Sequence, residues 1–433
     1  MNGGSRTIVF FPEGAFGPTN NCVGIGNVLR SRGHRVVFVV EESFAGTLEA
    51  KGFEEARMRL TAPPEVEEVP GQFWKDFIRD TAPEFRKPTI EQLESFLMPT
   101  WQALIDGAMY VDERLRDIFD ELQPDAIVED NVVAFAAIPA SGRPWARITS
   151  CNPLEWKDPA LPPVFAGLPA EDRSDWVGFW AEYDRVLGPQ IAAFDAWLVE
   201  HDAPHLPSAR DYLWASPYLN LYVFPEEADY PRTDPLPPTV HRLEASVRAT
   251  DEPYTEHERL GDEGGLVYLS LGSLASADVD LMQRLVDVLS HTPHRYIVSK
   301  GPQAELFELA DNMVGAEFLP QPAILPQVDL VITHGGNNTV TESWYFGRPM
   351  IVLPVFWDQY DNAQRVDELG LGARLPTYTF DPQDLTSAID RLLGDTGLQQ
   401  RLEAMSTRLK ANPGTVQAAN LIERLTRTGE PVT

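Results

Sequence analysis

Cysteine and positive charge are both scarce in this chain of 433 residues. Its two cysteines, Cys22 and Cys151, are too few for a disulfide framework or a cysteine-based zinc site. Lys and Arg total 35 against 65 Asp and Glu, and the resulting net charge of −30 argues against nucleic acid or an anionic membrane as a partner. Because the whole chain is this acidic, any phosphate site must create its positive potential locally.

Long apolar runs are also missing. No stretch approaches the ~20 apolar residues that span a membrane. The first residues, MNGGSRTIVFF, run directly into a predicted strand without a signal segment. The hydrophobic content of 43% and the aromatic content of 10% are typical of a globular protein, which we expect to be cytoplasmic and a monomer or weak dimer. The length suits two domains with a cleft between them.

The first half has the pattern of an α/β domain. Thr7–Phe11 predicts a buried strand, followed by a loop over Pro12–Asn21, a helix over Cys22–Arg32 and a second strand over Val36–Val40. This order predicts a Rossmann-like sheet. Later stretches of this half are helical and rich in aromatic residues, which we expect mostly in the core, with some rings lining a ligand pocket.

A proline-rich stretch divides the chain. Four prolines fall between 226 and 238, which predicts a linker over 226–241 between a first domain, 1–225, and a second domain, 242–412. The remaining residues, 413–433, predict a helix that could cross back to the first domain. Strands of a second Rossmann-like sheet are predicted at five places: 266–270, 295–298, 316–319, 330–333 and 350–353.

The second half contains one stretch with clear chemical meaning. A strand ending at Thr333 is followed by the turn His334-Gly335-Gly336 and by a helix that continues to Tyr345. Adjacent glycines let backbone N–H groups approach an anion at the positive end of that helix. The turn is neither a Walker loop nor a GxGxxG fingerprint, because its glycines are adjacent and no Gly-Lys-Ser/Thr follows. It predicts a cradle for a diphosphate.

Positions at fixed spacing around this turn resemble the nucleotide-sugar signature of family 1 glycosyltransferases. They are Phe318, Leu319, Pro320, Gln321, His334, Gly335, Gly336, Asn338, Thr339, Glu342, Gly347, Pro349, Pro354, Asp358, Gln359, Asn362 and Ala363. Among family members, the chain looks most similar to actinobacterial enzymes that glycosylate macrolides and other polyketide antibiotics. The resemblance implies an α/β chain of the GT-B fold, with two facing Rossmann-like domains. It also implies a UDP-sugar as co-substrate and no metal or other cofactor.

The resemblance assigns the nucleoside to four positions. Phe318 would stack on uracil, and the Leu319 backbone would read the edge of the base. Gln321 and Glu342 would hold the ribose hydroxyls, for which a carboxylate is a suitable double acceptor.

The resemblance assigns the diphosphate and the sugar to further positions. The phosphates would be held by donors from two loops: Ser273, His334, Gly336, Asn338 and Thr339. Asp358 and Gln359 would bind the sugar hydroxyls. Such preorganised donors stabilise the charge that develops on departing UDP, which is why no metal is expected.

The general base is the weak point of the resemblance. Inverting family members take the acceptor's proton with a histidine in the first loop, within Gly-His-x-x-Pro, and orient it with a later aspartate. Here Pro18 occupies the histidine position, and no histidine precedes His34. Asp130 follows a predicted strand, as the family's aspartate does, and is our preferred base; Glu13 is the alternative.

The leading hypothesis is an inverting transfer of glucose, or a related hexose, from UDP to a hydroxyl of a large hydrophobic natural product. Its role would be tailoring, or inactivation of a macrolide or rifamycin-type antibiotic. One alternative is a UDP-sugar epimerase or hydrolase of the same form, for which Glu13 and Asp130 supply acidic groups. Another is a non-catalytic auxiliary partner of a transferase, which the loss of histidine at Pro18 would suit.

Overall fold

Two parallel β-sheets, each flanked by helices, form the computed structural model, which describes residues 4–14, 16–63, 81–248 and 253–433. The first sheet has the order β3-β2-β1-β4-β5-β6-β7. Its strands are β1 (Thr7–Pro12), β2 (Arg35–Glu41), β3 (Glu54–Met58), β4 (Ala126–Asp130), β5 (Trp145–Thr149), β6 (Leu219–Tyr222) and β7 (Val240–Arg242). All their pairings are parallel, and the central strands are buried on both faces, which explains their unbroken apolar runs.

The second sheet has the order β10-β9-β8-β11-β12-β13 and is likewise parallel. Its strands are β8 (Leu266–Ser270), β9 (Arg295–Ser299), β10 (Met313–Ala316), β11 (Leu330–Thr333), β12 (Met350–Val352) and β13 (Gly372–Arg374). The strands β8 and β11 lie at its centre, so the loops after both strands meet at one edge of the sheet. Ligands bind at this edge in open α/β sheets.

Helices cover the faces of both sheets. In the first half they are α1 (Phe16–Ser31), α2 (Thr89–Gln92), α3 (Met98–Leu122), α4 (Ala137–Ala140) and α5 (Trp176–Glu200). In the second half they are α6 (Gly272–Ala275), α7 (Val279–Leu289), α8 (Gln321–Ile324), α9 (Asn337–Tyr345), α10 (Gln359–Glu368), α11 (Pro382–Gly394), α12 (Thr396–Ala411) and α13 (Gly414–Thr428). Within the described ranges, no helix is long and apolar enough to cross a membrane.

The first helix begins earlier than the sequence predicts. The loop predicted over Pro12–Asn21 is wrong, since α1 already starts at Phe16. Pro18 falls in its first turn, where a proline fits because the backbone N–H groups there have no partner within the helix. The apolar pattern that marked the helix begins only at Cys22, which is buried. The turn between β1 and α1 is therefore short, and it brings the start of α1 to the edge of the first sheet.

The chain leaves the first sheet later than the predicted linker. Strand β7 pairs in parallel with β6, with Asn220 opposite Val240, although it follows the proline-rich stretch. The crossing to the second sheet consequently lies between Arg242 and Leu266 instead of over 226–241. The prolines border an edge strand of the first domain, a position that tolerates them because few backbone donors are needed there.

The last helix packs against the first domain. Ala418, Ala419 and Ile422 are fully buried in one core cluster with Cys22 and Ile25 of α1. Surface ion pairs add to this contact at the same helix. The helix α13 therefore packs on α1 and connects the second half of the chain to the first domain.

Two further predictions need correction or qualification. The strand predicted over 316–319 is wrong, because β10 ends at Ala316 and leaves Phe318 exposed in the loop beyond it. The sequence also predicts a helical, aromatic-rich stretch between about 70 and 123, and the structure is helical there from Met98 to Leu122. Its members Phe73, Trp74 and Phe77 lie outside the described residues.

Candidate active site

His334 lies at the carboxyl end of β11, between two glycine loops. A Cβ on Gly272 would lie 2.7 Å from its Cε1, and a Cβ on Gly336 would lie 2.6 Å from its Nε2. Gly335 has φ of +90°, and its own Cβ would meet Val352 at 2.6 Å. These positions require glycine, since any side chain would displace the imidazole or the backbone. The structure therefore brings together the two loops from which the sequence predicts phosphate contacts.

Burial lowers the pKa of His334 to about 4, against a smaller opposing effect of its hydrogen bond with the backbone of Ser270. The imidazole is thus neutral at neutral pH. Positive potential at this end of the sheet comes from the N-terminus of α9, a nine-residue helix that begins at Asn337 directly after Gly336. A neutral donor beside a helix N-terminus suits a diphosphate without adding a buried charge.

Two of the residues predicted to hold ribose are hydrogen-bonded to each other. Gln321 Nε2 donates to Glu342 Oε2 at 2.6 Å and approaches Thr339 Oγ1 at 3.4 Å. Glu342 is 4% exposed, and burial raises its pKa, while Arg248 at 3.8 Å and Gln321 favour the ionised form. The carboxylate is consequently fixed in place beside the phosphate cradle. Sequence reasoning missed Arg248, whose surroundings carried no recognisable motif.

Phe318, the residue predicted to stack on the base, lies three positions before Gln321 in the chain. Phe318 is 56% exposed just after β10, and Leu319 next to it is half-buried. An exposed aromatic ring this close in the chain to a buried polar site fits a stacking platform. Ser273 lies in the short helix α6 opposite, but its side chain is outside what the structure describes.

Asp358 and Gln359, predicted to bind the sugar, meet the first domain and their own loop. Asp358 Oδ2 accepts a hydrogen bond from the backbone N–H of Asn152 at 2.8 Å. Burial raises the pKa of Asp358 to about 6, against that hydrogen bond. Gln359 Oε1 accepts from the N–H groups of Val355 and Phe356 at 3.1 and 3.2 Å, so its carbonyl oxygen shapes the preceding loop.

Asn338 joins the two domains. Its Oδ1 accepts from Asn21 Nδ2 at 3.0 Å, and its Nδ2 donates to the carbonyl of Gly17 at 2.8 Å. Both partners belong to the start of α1, close to Pro18. The sequence predicts that Asn338 faces phosphate, and one N–H of its amide is left for that purpose. The contact with Asn21 was missed, because nothing in the local pattern marks it.

Asp130 is the last residue of β4, so it lies at the carboxyl ends of the strands of the first sheet. It is 3% exposed, and Ser150 Oγ donates to its Oδ1 at 2.7 Å. Among the described residues no group donates to its buried Oδ2. Burial raises the pKa of Asp130 to about 8, opposed by Ser150 and reinforced by nearby Glu13. Burial likewise raises the pKa of Glu13 to about 7. Both carboxyls hold protons more tightly than ordinary acids do, as a proton acceptor near neutral pH requires.

A cavity with aromatic walls lies beside these carboxyls, between the two domains. The enclosed space that water could occupy is about 20 Å³, and about 400 Å³ of space lies around it when the open solvent at its mouth is counted. Its lining includes Trp101, Cys151, Asn152, Phe165, Tyr212, Trp357 and Asp358. Trp101 stacks on Tyr212 with ring centroids 4.1 Å apart, and Trp357 of the second domain lies 4.6 Å from Trp101. Some aromatic rings thus line a pocket, as predicted, while Phe85 and Phe96 pack on Phe356 instead.

Comparisons with known proteins agree with this geometry. Residues 234–414 match the family model described as UDP-glucoronosyl and UDP-glucosyl transferase. The zeaxanthin glucosyltransferase of Pantoea ananas is 27% identical over 331 residues, covering 73% of this chain and 75% of that protein. The oleandomycin glycosyltransferase of Streptomyces antibioticus is 25% identical over 435 aligned positions, covering 96% and 90%. The second half of this chain thus matches the family of UDP-glucoronosyl and UDP-glucosyl transferases, and nearly the whole chain is similar to a glycosyltransferase.

A solved structure confirms the fold of this chain. The kitacinnamycin glycosyltransferase superposes with a TM-score of 0.67 at 22% identity, covering 97% of this chain and 98% of its own. The predicted GT-B fold is therefore confirmed. The family match lies in the second half, which carries the nucleotide-sugar signature, whereas the solved structure superposes on nearly the whole chain.

Proposed function

We propose that the protein transfers glucose from UDP-glucose to a hydroxyl of a large hydrophobic natural product, with inversion at the anomeric carbon. The observation that carries this proposal is the placement of an aromatic cavity against the donor loops. Asp358, at the predicted sugar position, lines that cavity together with Trp101 and Trp357. A sugar held there would present its anomeric carbon to an acceptor in the cavity.

The donor is proposed to be a UDP-sugar because of the paired Gln321 and Glu342. A carboxylate held by one amide and a nearby guanidinium keeps lone pairs for two ribose hydroxyls. A dTDP-deoxysugar offers one hydroxyl fewer on its deoxyribose. Gln359 after Asp358 supports glucose within the family resemblance.

The proton is proposed to pass from the acceptor hydroxyl to Oδ2 of Asp130. As the hydroxyl oxygen of the acceptor bonds to the anomeric carbon, the bond between that carbon and the UDP oxygen breaks, and UDP leaves with the electron pair. The N-terminus of α9 and the donors around His334 stabilise the charge that appears on UDP. A carboxylate with a raised pKa is a stronger base than an ordinary aspartate, which compensates in part for Pro18 at the histidine position.

The acceptor is proposed to be a polyketide, in the role of antibiotic tailoring or inactivation. The aromatic walls suit an apolar aglycone. Two relatives carry names that refer to hydrophobic or antibiotic acceptors, zeaxanthin and oleandomycin. A rifamycin-type acceptor belongs to the same proposal.

The test is a transfer assay with purified protein. UDP-glucose is incubated with oleandomycin, with a rifamycin and with 7-hydroxycoumarin, and the products are read by mass and by proton NMR. We expect a β-glucoside of at least one acceptor. A product that forms only with a dTDP-sugar would overturn the donor, and an α-linked product would overturn inversion. Parallel incubation of UDP-glucose alone distinguishes an epimerase or hydrolase, which would produce a new sugar without acceptor.

A further inference from the structure

A segment of the first domain, residues 161–170, is fixed by side chains of the second domain; we call it the strap. It has no helix or strand, yet it is buried from Leu161 to Gly167. A buried irregular segment needs hydrogen-bond partners for its backbone groups. The second domain supplies several of them from α10, which begins at Gln359, and from β13, while Thr89 of the first domain donates to the carbonyl of Ala166 at 3.0 Å.

Asp361 of α10 provides the central contact. Its Oδ2 accepts from the backbone N–H of Phe165 at 2.6 Å, and its Oδ1 accepts from that of Gly167 at 2.8 Å. Asp361 is 1% exposed. Each carboxylate oxygen thus takes one N–H of the strap, an arrangement that an amide would not reproduce because its NH₂ group would face a second donor.

The strap is held in an unusual backbone conformation at this point. Phe165 has φ of +69°, a region that costs a non-glycine residue free energy, and Gly167 has φ of +61°. A Cβ on Gly167 would lie 2.8 Å from the Cβ of Tyr360. The turn therefore persists because the surrounding contacts impose it, and the N–H groups of its two residues with positive φ, Phe165 and Gly167, both donate to Asp361.

The turn places the Phe165 ring in the cavity wall. Its centroid lies 5.5 Å from that of Trp357 and 6.3 Å from that of Trp101. Phe165 itself lines the cavity. Because its side chain follows a backbone turn that Asp361 fixes, the shape of this wall depends on a residue of the opposite domain.

Other second-domain contacts hold the strap at different groups. Glu368 accepts from the N–H of Ala170 at 2.7 Å, at the exposed end of the strap. Arg374 donates to the carbonyl of Gly167 at 2.7 Å. Neither reaches the N–H of Phe165, so they anchor the strap without setting its turn.

We propose that Asp361, a residue of the donor-binding domain, is a positioning residue for the acceptor. It holds the Phe165 turn, and Phe165 completes the acceptor wall beside the sugar site. This inference rests on the proposed function, because the cavity must be the acceptor pocket. It means that acceptor fit is set jointly by both domains and depends on their closed arrangement.

The experiment compares Asp361→Asn with Asp367→Asn, an exposed position on the same helix. Steady-state transfer from UDP-glucose to 7-hydroxycoumarin gives the two KM values, and equilibrium dialysis gives 7-hydroxycoumarin binding without turnover. Asp361→Asn removes one hydrogen bond and places the amide NH₂ group against a backbone N–H donor. The acceptor KM should therefore rise about tenfold. The KM for UDP-glucose should stay within about twofold of the wild-type value, and Asp367→Asn should change neither.

A double-mutant cycle with Phe165→Ala tests the route of the effect. Phe165→Ala should itself raise the acceptor KM, and adding Asp361→Asn should then have little further effect. Hydrogen exchange at the N–H groups of Phe165 and Gly167 should become faster in Asp361→Asn. This readout needs no substrate and shows directly whether Asp361 orders the turn.

Several outcomes would contradict the inference. Additive effects of Asp361→Asn and Phe165→Ala, or an unchanged acceptor KM and exchange rate in Asp361→Asn, would overturn the role of Asp361 while leaving the transferase intact. Equal losses of UDP-glucose and acceptor affinity would make Asp361 a general contact between domains. A wild-type protein that binds 7-hydroxycoumarin but transfers no sugar to any acceptor would instead overturn the proposed function.

Discussion

The two sides of the cleft are built by different means. On the donor side, one continuous stretch supplies the turn at His334, the first turn of α9 and Glu342, all within a single βαβ unit. On the acceptor side, Asp130, Ser150, Trp101 and Phe165 come from distant parts of the chain, and Trp357 comes from the other domain. A diphosphate is recognised by backbone geometry, which requires glycine at fixed spacing. A hydrophobic acceptor is recognised by shape, which many combinations of side chains can provide.

The difference predicts that the two sides of the cleft tolerate substitution unequally. Replacing Gly336 by any residue displaces His334, so this side of the cleft permits little variation. On the other side the resemblance places Pro18 where the family has histidine, and the carboxyls of buried Asp130 and half-buried Glu13 have raised pKa values. The following predictions test this contrast between a donor side fixed by backbone and an acceptor side that depends on individual side chains.

The largest effect is expected for Asp130→Asn. If Asp130 takes the acceptor's proton, the amide removes the base without changing the side chain's size. The turnover number should fall by roughly 10²- to 10⁴-fold, the usual contribution of general base catalysis. The KM for UDP-glucose should hardly change, since Asp130 belongs to the other sheet. Steady-state kinetics with saturating UDP-glucose provide the measurement.

Glu13→Gln is the matched comparison for Asp130→Asn. Asp130 is buried and Glu13 is half-buried, and the two carboxyls are close enough to influence each other's protonation. We expect Glu13→Gln to lower turnover far less. A greater loss in Glu13→Gln than in Asp130→Asn would assign the base to Glu13, and unchanged turnover in both would exclude either carboxyl.

On the donor side, Gly336→Ala should weaken UDP-glucose binding by roughly tenfold to a hundredfold. The added methyl would lie 2.6 Å from Nε2 of His334 and force the ring out of place, an overpacking that costs ~1–3 kcal/mol. Isothermal titration calorimetry with UDP measures the change.

Gly394→Ala is a suitable control for Gly336→Ala, because nothing lies within 4 Å of its added Cβ. This variant should bind UDP normally. If Gly336→Ala also bound UDP with wild-type affinity, the backbone at this turn would not form the phosphate cradle.

The pH dependence of transfer should report the raised pKa of Asp130. A general base acts only when unprotonated, so kcat/KM for the acceptor should increase about tenfold per pH unit below about 8 and level off above it. A histidine base would place this limb near its ordinary pKa of about 6.5. The acceptor must be an aliphatic alcohol without ionisable groups, so that only the protein titrates. A limb that persists unchanged in Ser150→Ala and Asp130→Asn would have another origin.

Much of the donor side could be predicted from the sequence, because its determinants are local. The strand, the glycine turn and the helix after His334 follow one another within β11 and α9, as the pattern indicates. Gly272 follows β8 and His334 follows β11, so both loops lie beyond the carboxyl ends of neighbouring parallel strands, where ligands bind. The residues' roles toward UDP stay predictions until a donor complex or the variants above are studied.

The errors lie where long-range contacts override local pattern. The start of α1 was placed too late, because residues 16–21 lack an apolar face and Pro18 suggested a loop. Prolines near 231–238 suggested a linker, but the chain first adds β7 to the first sheet. The strap and its bonds to Asp361 have no sequence signal, since both N–H groups belong to the backbone and the carboxylate lies almost 200 positions away.

The smallest effect is expected where the two sides meet, at Asn21. This residue donates to Asn338, whose other contact is the Gly17 carbonyl. Removing one hydrogen bond of about 1 kcal/mol with Asn21→Ala should weaken UDP-glucose binding about fivefold, although Asn21 belongs to the first domain. Asn338→Ala should weaken it more, because it also removes the N–H available to phosphate.

Asn27→Ala on the exposed face of α1 serves as the control for Asn21→Ala. Titration calorimetry of all three variants with UDP-glucose separates the two functions of Asn338. If Asn21→Ala binds UDP-glucose normally while Asn338→Ala does not, Asn338 acts on phosphate alone. Equal losses in both would mean that its main role is to keep the cleft closed. The donor side would then depend on a residue of the first domain, just as the acceptor side depends on a residue of the second. The two sides would differ in the chemistry of what they bind, and not in which domain builds them.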